Sequence, residues 1–111
     1  MPSENPLKNY YERRAQRYES IRNFALKESK HQVDAFYVYD LESIRERVAI
    51  WRHLMPRVEI FFAAKALFSR DVYTKCIQEG IGFDTASLQE MKEIIAEGVD
   101  PNKCIYANAV K

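Results

Sequence analysis

The chain has 111 residues, a formal net charge of +1 and 47% hydrophobic residues. This length suits one ordinary domain, and the hydrophobic fraction predicts a folded chain rather than a disordered one. The balanced charge gives no reason to expect a nucleic-acid partner, and no apolar stretch is long enough to span a membrane. Because Cys76 and Cys104 show neither metal-ligand nor disulfide spacing, we expect a cytoplasmic protein with reduced thiols and no metal.

The N-terminal segment predicts a helix. Across residues 7–28 arginines occupy the other faces, and apolar residues recur at helical spacing, at Leu7, Tyr11, Tyr18, Ile21 and Ala25. This pattern is typical of an amphipathic helix beginning after Pro6, and docking on another element explains it better than a membrane surface does. Polar residues 27–32 then predict a linker. We therefore divide the chain into an N-terminal helix with its linker, residues 1–33, and a second domain, residues 34–111.

The second domain begins with a mixed pattern. The aromatic and β-branched residues 36–39 suit a strand or an extended segment. Apolar residues spaced by three and four over 41–55 predict a helix, which Asp40 is placed to cap and Pro56 to end. The apolar run 58–64 then reads as a buried strand that leads directly to Lys65.

Two further helix and strand pairs follow. Ser69 and Ser87 are placed as helix caps, and Gly80 and Gly98 are placed to end the two helices, by the usual preferences for these positions. Short strands are predicted at residues 81–83 and 103–107, each after the turn that ends a helix. The repeated order of strand and helix predicts an α/β fold with parallel strands joined by right-handed crossovers.

Three polar residues each follow the apolar part of a strand: Lys65, Asp84 and Asn108. In a parallel barrel the carboxyl ends of the strands share one face, where chemistry is assembled. An amine there can attack a carbonyl to form a Schiff base, and a neighbouring carboxylate can hold its charge or accept its proton. In the alternative, Lys65 simply reaches water, Asp84 begins a cap region and Asn108 makes a turn.

Six short segments share their order and spacing with one known family: residues 34–38, 56–58, 61–65, 82–87, 98–101 and 105–108. In these segments the chain resembles the N-terminal barrel region of the alanine-racemase-like pyridoxal-phosphate decarboxylases. This family includes the ornithine, arginine and diaminopimelate decarboxylases, and the chain looks most like the eukaryotic ornithine decarboxylases. The resemblance covers residues from about 34 to 111 and does not extend over the first 33.

The resemblance implies a fold and a cofactor. The fold would be the first three βα units of a (β/α)8 TIM-type barrel, and the cofactor would be pyridoxal phosphate. Lys65 would be catalytic and would form the Schiff base with the cofactor, and Asp84 would be its catalytic partner beside it. Asn108 matches the motif as a weaker cofactor contact. Glu90 matches a family glutamate near that aspartate, although its place in a capping box with Ser87 explains it without a catalytic role.

The implied activity is decarboxylation of a small basic amino acid. The closest resemblance implies the conversion of ornithine to putrescine in polyamine biosynthesis, and the family implies a homodimer. The later barrel strands and the phosphate loop would lie beyond residue 111. The 111-residue chain is therefore not expected to be active alone, and a protein partner is expected to cover the open barrel edge. The family usually has Asn where this chain has Leu67 and Pro where it has Ala109. These departures leave open a non-catalytic remnant that acts as an interaction or assembly module.

Overall fold

The computed structural model describes residues 5–107 and contains two compact units, with the boundary after Leu54. The first unit holds two helices, α1 over Pro6–Glu28 and α2 over Glu42–Leu54. The second unit holds a small sheet with its helices. The division of the chain at residue 33, which was expected from composition, stays a prediction.

Helix α1 confirms the predicted N-terminal helix. The side chain of Asn5 accepts a hydrogen bond from the Leu7 amide at 3.0 Å, and Pro6 stands in the first turn, where its missing N–H has no intrahelical acceptor to lose. The predicted apolar face is only partly covered, because Tyr11 and Tyr18 are 64% and 59% exposed. No described residue of α1 is classed as buried. The apolar face of α1 therefore contributes little burial.

Charged side chains connect α1 to the second helix of its unit. Arg17 Nε lies 3.1 Å from a carboxylate oxygen of Asp40, and the same guanidinium pairs with Glu46 of α2. Its hydrogen bond to Glu46 raises the pKa of Arg17 above its ordinary value. Arg13 lies 3.7 Å from the other Glu46 oxygen. Ion pairs from Arg13 and Arg17 to Glu46 thus join the two helices.

The strand alternative for residues 36–39 is wrong. Residues 35–40 have no regular secondary structure and join no described strand. The rings of Tyr37 and Tyr39 stack on each other with centroids 6.5 Å apart. A strand requires a partner for its backbone groups, and the aromatic and β-branched composition of this run does not supply one.

The second unit contains a three-stranded parallel sheet: β1 over Phe61–Ala63, β2 over Gly82–Asp84 and β3 over Cys104–Ile105. The spatial order is β1-β2-β3, and both pairings are parallel. Helix α3 over Arg70–Gln78 connects β1 to β2, and helix α4 over Leu88–Ala96 connects β2 to β3. The predicted parallel α/β arrangement is confirmed.

The first and third strands are shorter than predicted, whereas the second has the predicted length of three residues, shifted by one position. The first was expected over residues 58–64, but a turn in which the Val58 amide donates to the Met55 carbonyl precedes it. A 3₁₀-helix over Ala64–Ala66 begins directly after Ala63. A second 3₁₀-helix, over Pro101–Lys103, precedes β3. The apolar run was therefore longer than the paired strand because turn geometry at both ends removes backbone groups from the ladder.

The helix boundaries of the second unit follow the predicted caps. The hydroxyl of Ser69 accepts from the Val72 amide at 3.4 Å, and that of Ser87 accepts from the Glu90 amide at 3.1 Å. After α3 and α4, Gly80 and Gly98 take positive φ angles of 71° and 100°. This left-handed conformation is the one in which glycine ends a helix without steric strain.

Aromatic side chains form the centre of the second unit. Phe83, in the middle of β2, has no exposed surface, and the ring of Tyr73 from α3 packs against it edge-to-face at 5.5 Å. Phe62 of β1 contacts both rings in the same geometry. Ile94 of α4 is also buried. This cluster fixes β1 and β2 side by side, which positions the residues at the ends of both strands.

Candidate functional site

Lys65 lies on a turn rather than at the end of a strand. It is the middle residue of the 3₁₀-helix Ala64–Ala66, two positions after β1 ends. Its side chain is exposed, whereas Ala64 before it is buried. The expectation of a lysine delivered directly by a buried strand is therefore corrected. The exposed side chain agrees with the alternative expectation, in which Lys65 reaches water.

Asp84 is the last residue of β2 and is half-buried. In the parallel register it is paired with Ala63 on one side and with Ile105 on the other. Lys65 follows Ala63 by two residues, so the register places the carboxylate and the amine at the same end of the sheet. The arrangement follows from the short crossovers, which return each strand in the same direction.

A small recess brings these two residues together. It has a volume of about 80 Å³ and is lined by Lys65, Asp84, Thr85, Ala86 and Ala107. The structure thus places the predicted amine and the predicted carboxylate in one site, at the carboxyl ends of neighbouring parallel strands. Asn108, the third predicted member, lies outside the described residues.

The recess is too small for a whole organic cofactor. Ligand sites in proteins usually measure about 300–1,000 Å³. The volume at Lys65 is only a fraction of that range. It can accept the reactive end of a ligand, an aldehyde or a carbonyl carbon beside the amine. The remainder of such a ligand would extend beyond the walls that residues 5–107 provide.

Thr85 is a member of the site that strand periodicity did not identify. It is 1% exposed, and its amide and its hydroxyl both donate to the carbonyl oxygen of Ile105, at 2.9 Å and 3.0 Å. The signal available in the sequence was its position directly after Asp84. A side-chain bond to a carbonyl 20 residues later has no sequence signature.

Tyr73 supports the turn that carries Lys65. Its hydroxyl donates to the carbonyl oxygen of Ala64 at 3.3 Å, a long bond for this pair of groups. Burial, followed by the negative charges of Glu90 and Glu93, raises the pKa of Tyr73 above its ordinary value. The phenol therefore stays protonated and able to donate over the whole neutral range.

Glu90 makes one of the two hydrogen bonds that the predicted capping box would contain. Its amide donates to Ser87 at the start of α4. Its carboxylate oxygen Oε1 is buried and has no hydrogen-bond partner among the residues that the structure describes. Glu90 does not line the recess at Lys65.

A larger cavity lies in the first unit and has different chemistry. It measures about 400 Å³, and its charged lining includes Arg13, Arg17, Asp40 and Glu46. These arginines and carboxylates are paired with each other across the cavity wall. The charges are thus already compensated within the protein, and we do not assign the reactive site to this cavity.

Residues 5–107 hold neither a cluster of metal-ligating side chains nor a helix that could cross a membrane. No group of three or more potential metal-ligating side chains occurs in this part of the chain. None of its helices combines the length and the apolar character required to cross a bilayer.

The second unit is a parallel α/β arrangement in which a lysine and an aspartate line one recess at the carboxyl ends of the strands. Residues 41–111, more than half of the chain, match the sequence model of the pyridoxal-dependent decarboxylases, in the part described as their pyridoxal binding domain. The chain belongs to this family.

Individual relatives carry the name ornithine decarboxylase. The chain is 34% identical to that of Schizosaccharomyces pombe over 93 residues, which is 84% of the chain and 22% of the relative. It is 40% identical to that of Mus pahari over 83 residues, 75% of the chain and 18% of the relative. Ornithine decarboxylase 2 of Drosophila melanogaster is 34% identical over 79 residues, 71% of the chain and 20% of the relative. The chain thus spans about a fifth of the curated relatives it matches. No solved structure matches it significantly.

The domain that defines this match implies pyridoxal phosphate as the cofactor. The residues present fit the reactive end of that molecule, because Lys65 offers a primary amine for its aldehyde and Asp84 offers a carboxylate in the same recess. The chain contains three glycines, at positions 80, 82 and 98, and these do not form a glycine-rich phosphate loop. The described residues therefore account for the aldehyde end of the cofactor and not for its phosphate.

Proposed function

We propose that the chain supplies the part of a basic amino-acid decarboxylase that holds pyridoxal phosphate by its aldehyde, and that the reaction is ornithine to putrescine in polyamine biosynthesis. The observation that carries the proposal is the recess shared by Lys65 and Asp84. The names of the relatives support ornithine as the substrate. The activity belongs to the longer protein architecture of those relatives, of which this chain spans about a fifth.

The proposal extends to the fold. Three parallel strands in the spatial order β1-β2-β3, each followed along the chain by its neighbour, are the arrangement expected at the start of a (β/α)8 barrel. We propose that these are its first three strands, and that residues 34–111 form the partial barrel domain after an N-terminal segment. A homodimer and a cytoplasmic location are part of the same proposal and rest on the family resemblance.

Lys65 and Asp84 have distinct proposed roles in the recess. Lys65 holds the cofactor through its Nζ atom, and the exposure of its side chain leaves that atom accessible. The carboxylate of Asp84 orients the amine and holds or accepts its proton. When bound, pyridoxal phosphate supplies the electron sink that takes up the electron pair left by departing carbon dioxide. Asn108 stays a prediction as a third contact.

The proposal is tested by trapping the cofactor on the chain. The purified 111-residue chain is mixed with pyridoxal phosphate, reduced with borohydride and digested, and the label at each lysine is quantified by mass spectrometry. We expect label on Lys65 in clear excess over the exposed Lys92 of α4. In the recess the carboxylate of Asp84 can accept the proton that the Lys65 amine must lose before it attacks the aldehyde, which should favour labelling of Lys65.

Two matched variants sharpen this test. Lys65→Arg keeps the positive charge but removes the primary amine, so the preferred label should disappear, whereas Lys92→Arg should leave it unchanged. Asp84→Asn keeps the size of the side chain and removes the charge, and we expect it to reduce labelling at Lys65 by about tenfold or more. Equal labelling of all exposed lysines in the unmodified chain would contradict the proposed function.

A further inference from the structure

We propose that Thr85 is a positioning residue of the cofactor site, whose hydroxyl group fixes the Asp84 end of β2 against the end of β3. The inference rests on the proposed function of Lys65 and Asp84 and adds to it a residue that touches neither reacting atom in its proposed role. Three observations carry it: the two bonds that Thr85 makes, its burial, and its place in the wall of the recess.

The bonds join the two sides of the recess. The amide of Thr85 donates to the Ile105 carbonyl at 2.9 Å as part of the strand pairing, and the hydroxyl Oγ1 donates to the same oxygen at 3.0 Å. The first bond would be made by any residue other than proline at this position, whereas the second requires a side chain with a hydroxyl group or another donor. One carbonyl oxygen can accept both donors because it has two lone pairs.

Burial makes the second bond obligatory. Thr85 is 1% exposed, so its hydroxyl has exchanged water for the Ile105 carbonyl. A buried hydroxyl without a partner is destabilising, and this favours the one side-chain conformation in which Oγ1 reaches that oxygen. The conformation of Thr85 is therefore tied to the relative position of β2 and β3 at this point.

The placement connects this restraint to the reactive groups. Asp84 precedes Thr85, and Ala107 follows Ile105 by two residues, so the bond spans the sheet directly beside two walls of the recess. The recess holds only about 80 Å³, and a small shift of β3 away from β2 changes its shape by a large fraction. Since catalytic geometry is sensitive to displacements of about 1 Å, the hydroxyl bond is expected to affect the reaction of Lys65.

Threonine variants separate the hydroxyl from the packing. Thr85→Val has nearly the same shape and keeps the backbone bond but lacks the donor, and Thr85→Ser restores the donor. Two controls are matched to them. Thr74→Val makes the same change at an exposed position of α3, and Ile94→Val trims a buried core residue of α4 without touching the recess. The second control reports any effect of lowered stability alone.

The measurement is the ratio of reduced pyridoxal-phosphate label at Lys65 to that at Lys92 in the 111-residue chain. We expect Thr85→Val to lower this ratio by about threefold to tenfold, the range that corresponds to the loss of one hydrogen bond. Thr85→Ser should restore the ratio, and both control variants should keep it at the wild-type value.

The outcomes distinguish the inference from the function on which it rests. A wild-type preference for Lys65 that is unchanged in Thr85→Val would overturn the inference and leave the proposed function standing. An equal loss in Ile94→Val would also overturn it, because general destabilisation would then explain the effect. No preference for Lys65 in the wild-type chain would contradict the proposed function and the inference together.

Discussion

Single residues at the site differ in how strongly the fold restrains them. Asp84 is held by the strand register on both sides, and Thr85 by two hydrogen bonds to Ile105. Lys65 is exposed on a short 3₁₀-helix, and the carbonyl of the first residue of that helix, Ala64, accepts a hydrogen bond from the Tyr73 hydroxyl. The carboxylate is thus placed by the sheet, whereas the amine lies on an exposed turn. The two residues differ in this way because Asp84 is the last residue of a strand, whereas Lys65 lies in the turn that follows a strand.

The two cysteines should differ in reactivity. Cys76 is 2% exposed, and burial raises the pKa of its thiol to about 11, so at pH 8 it is almost entirely protonated. The thiolate is the reacting species, and we therefore expect iodoacetamide at pH 8 to alkylate the less buried Cys104 well before Cys76. Mass spectrometry of the digested chain measures both rates, with the urea-unfolded chain as the control in which both react. Faster labelling of Cys76 in the folded chain would show that the packing around α3 is wrong.

Among the elements, the three strands depend on one glycine. A Cβ atom on Gly82 would lie 2.5 Å from the ring of Phe61 and 2.7 Å from the carbonyl oxygen of Lys103. These contacts come from the segments on either side of β2, so the close spacing of the sheet requires hydrogen at this position. Gly98 requires glycine for a different reason, its positive φ angle, since a Cβ there meets nothing within 4 Å.

Gly82→Ala should therefore destabilise the chain by steric overlap, by about 1–3 kcal/mol. Urea unfolding followed by circular dichroism measures the change in the free energy of unfolding. Trimming the ring in the double variant Phe61→Leu with Gly82→Ala should not restore stability, because the overlap with the Lys103 carbonyl is with backbone and remains. Recovery in the double variant would mean that the sheet is less tightly spaced at β3 than described.

The success of sequence-based prediction also differed between elements. The ends of α3 and α4 could be predicted because Ser69, Ser87, Gly80 and Gly98 act through bonds or angles within a few residues. For the aromatic run 36–39 only the strand alternative was wrong, because strand formation depends on a partner elsewhere in the chain. The lengths of the first and third strands were overestimated for the same reason, since an apolar run does not show where its backbone pairing ends.

For the whole molecule, the candidate site was predictable in part. Lys65 and Asp84 were expected together because polar residues after successive parallel strands must meet at one end of a sheet. The restraint from Thr85 could not be predicted, because a hydrogen bond to Ile105 depends on the register of β2 against β3. The family match adds the cofactor to this geometry, and the assignment of roles to the two residues stays a prediction.

The central claim is that the aldehyde end of pyridoxal phosphate enters the recess at the strand ends. A titration of the ¹⁵N-labelled 111-residue chain with pyridoxal phosphate, followed by two-dimensional NMR, tests this location most directly. We predict that the largest shift changes occur at the amides of residues 64–66, 84–86 and 105–107, and that Lys65→Arg removes them. The changes would instead fall on the amides near Arg13 and Arg17 if the phosphate bound in the larger cavity of the first unit. That result, or changes scattered over all exposed lysines, would contradict the claim.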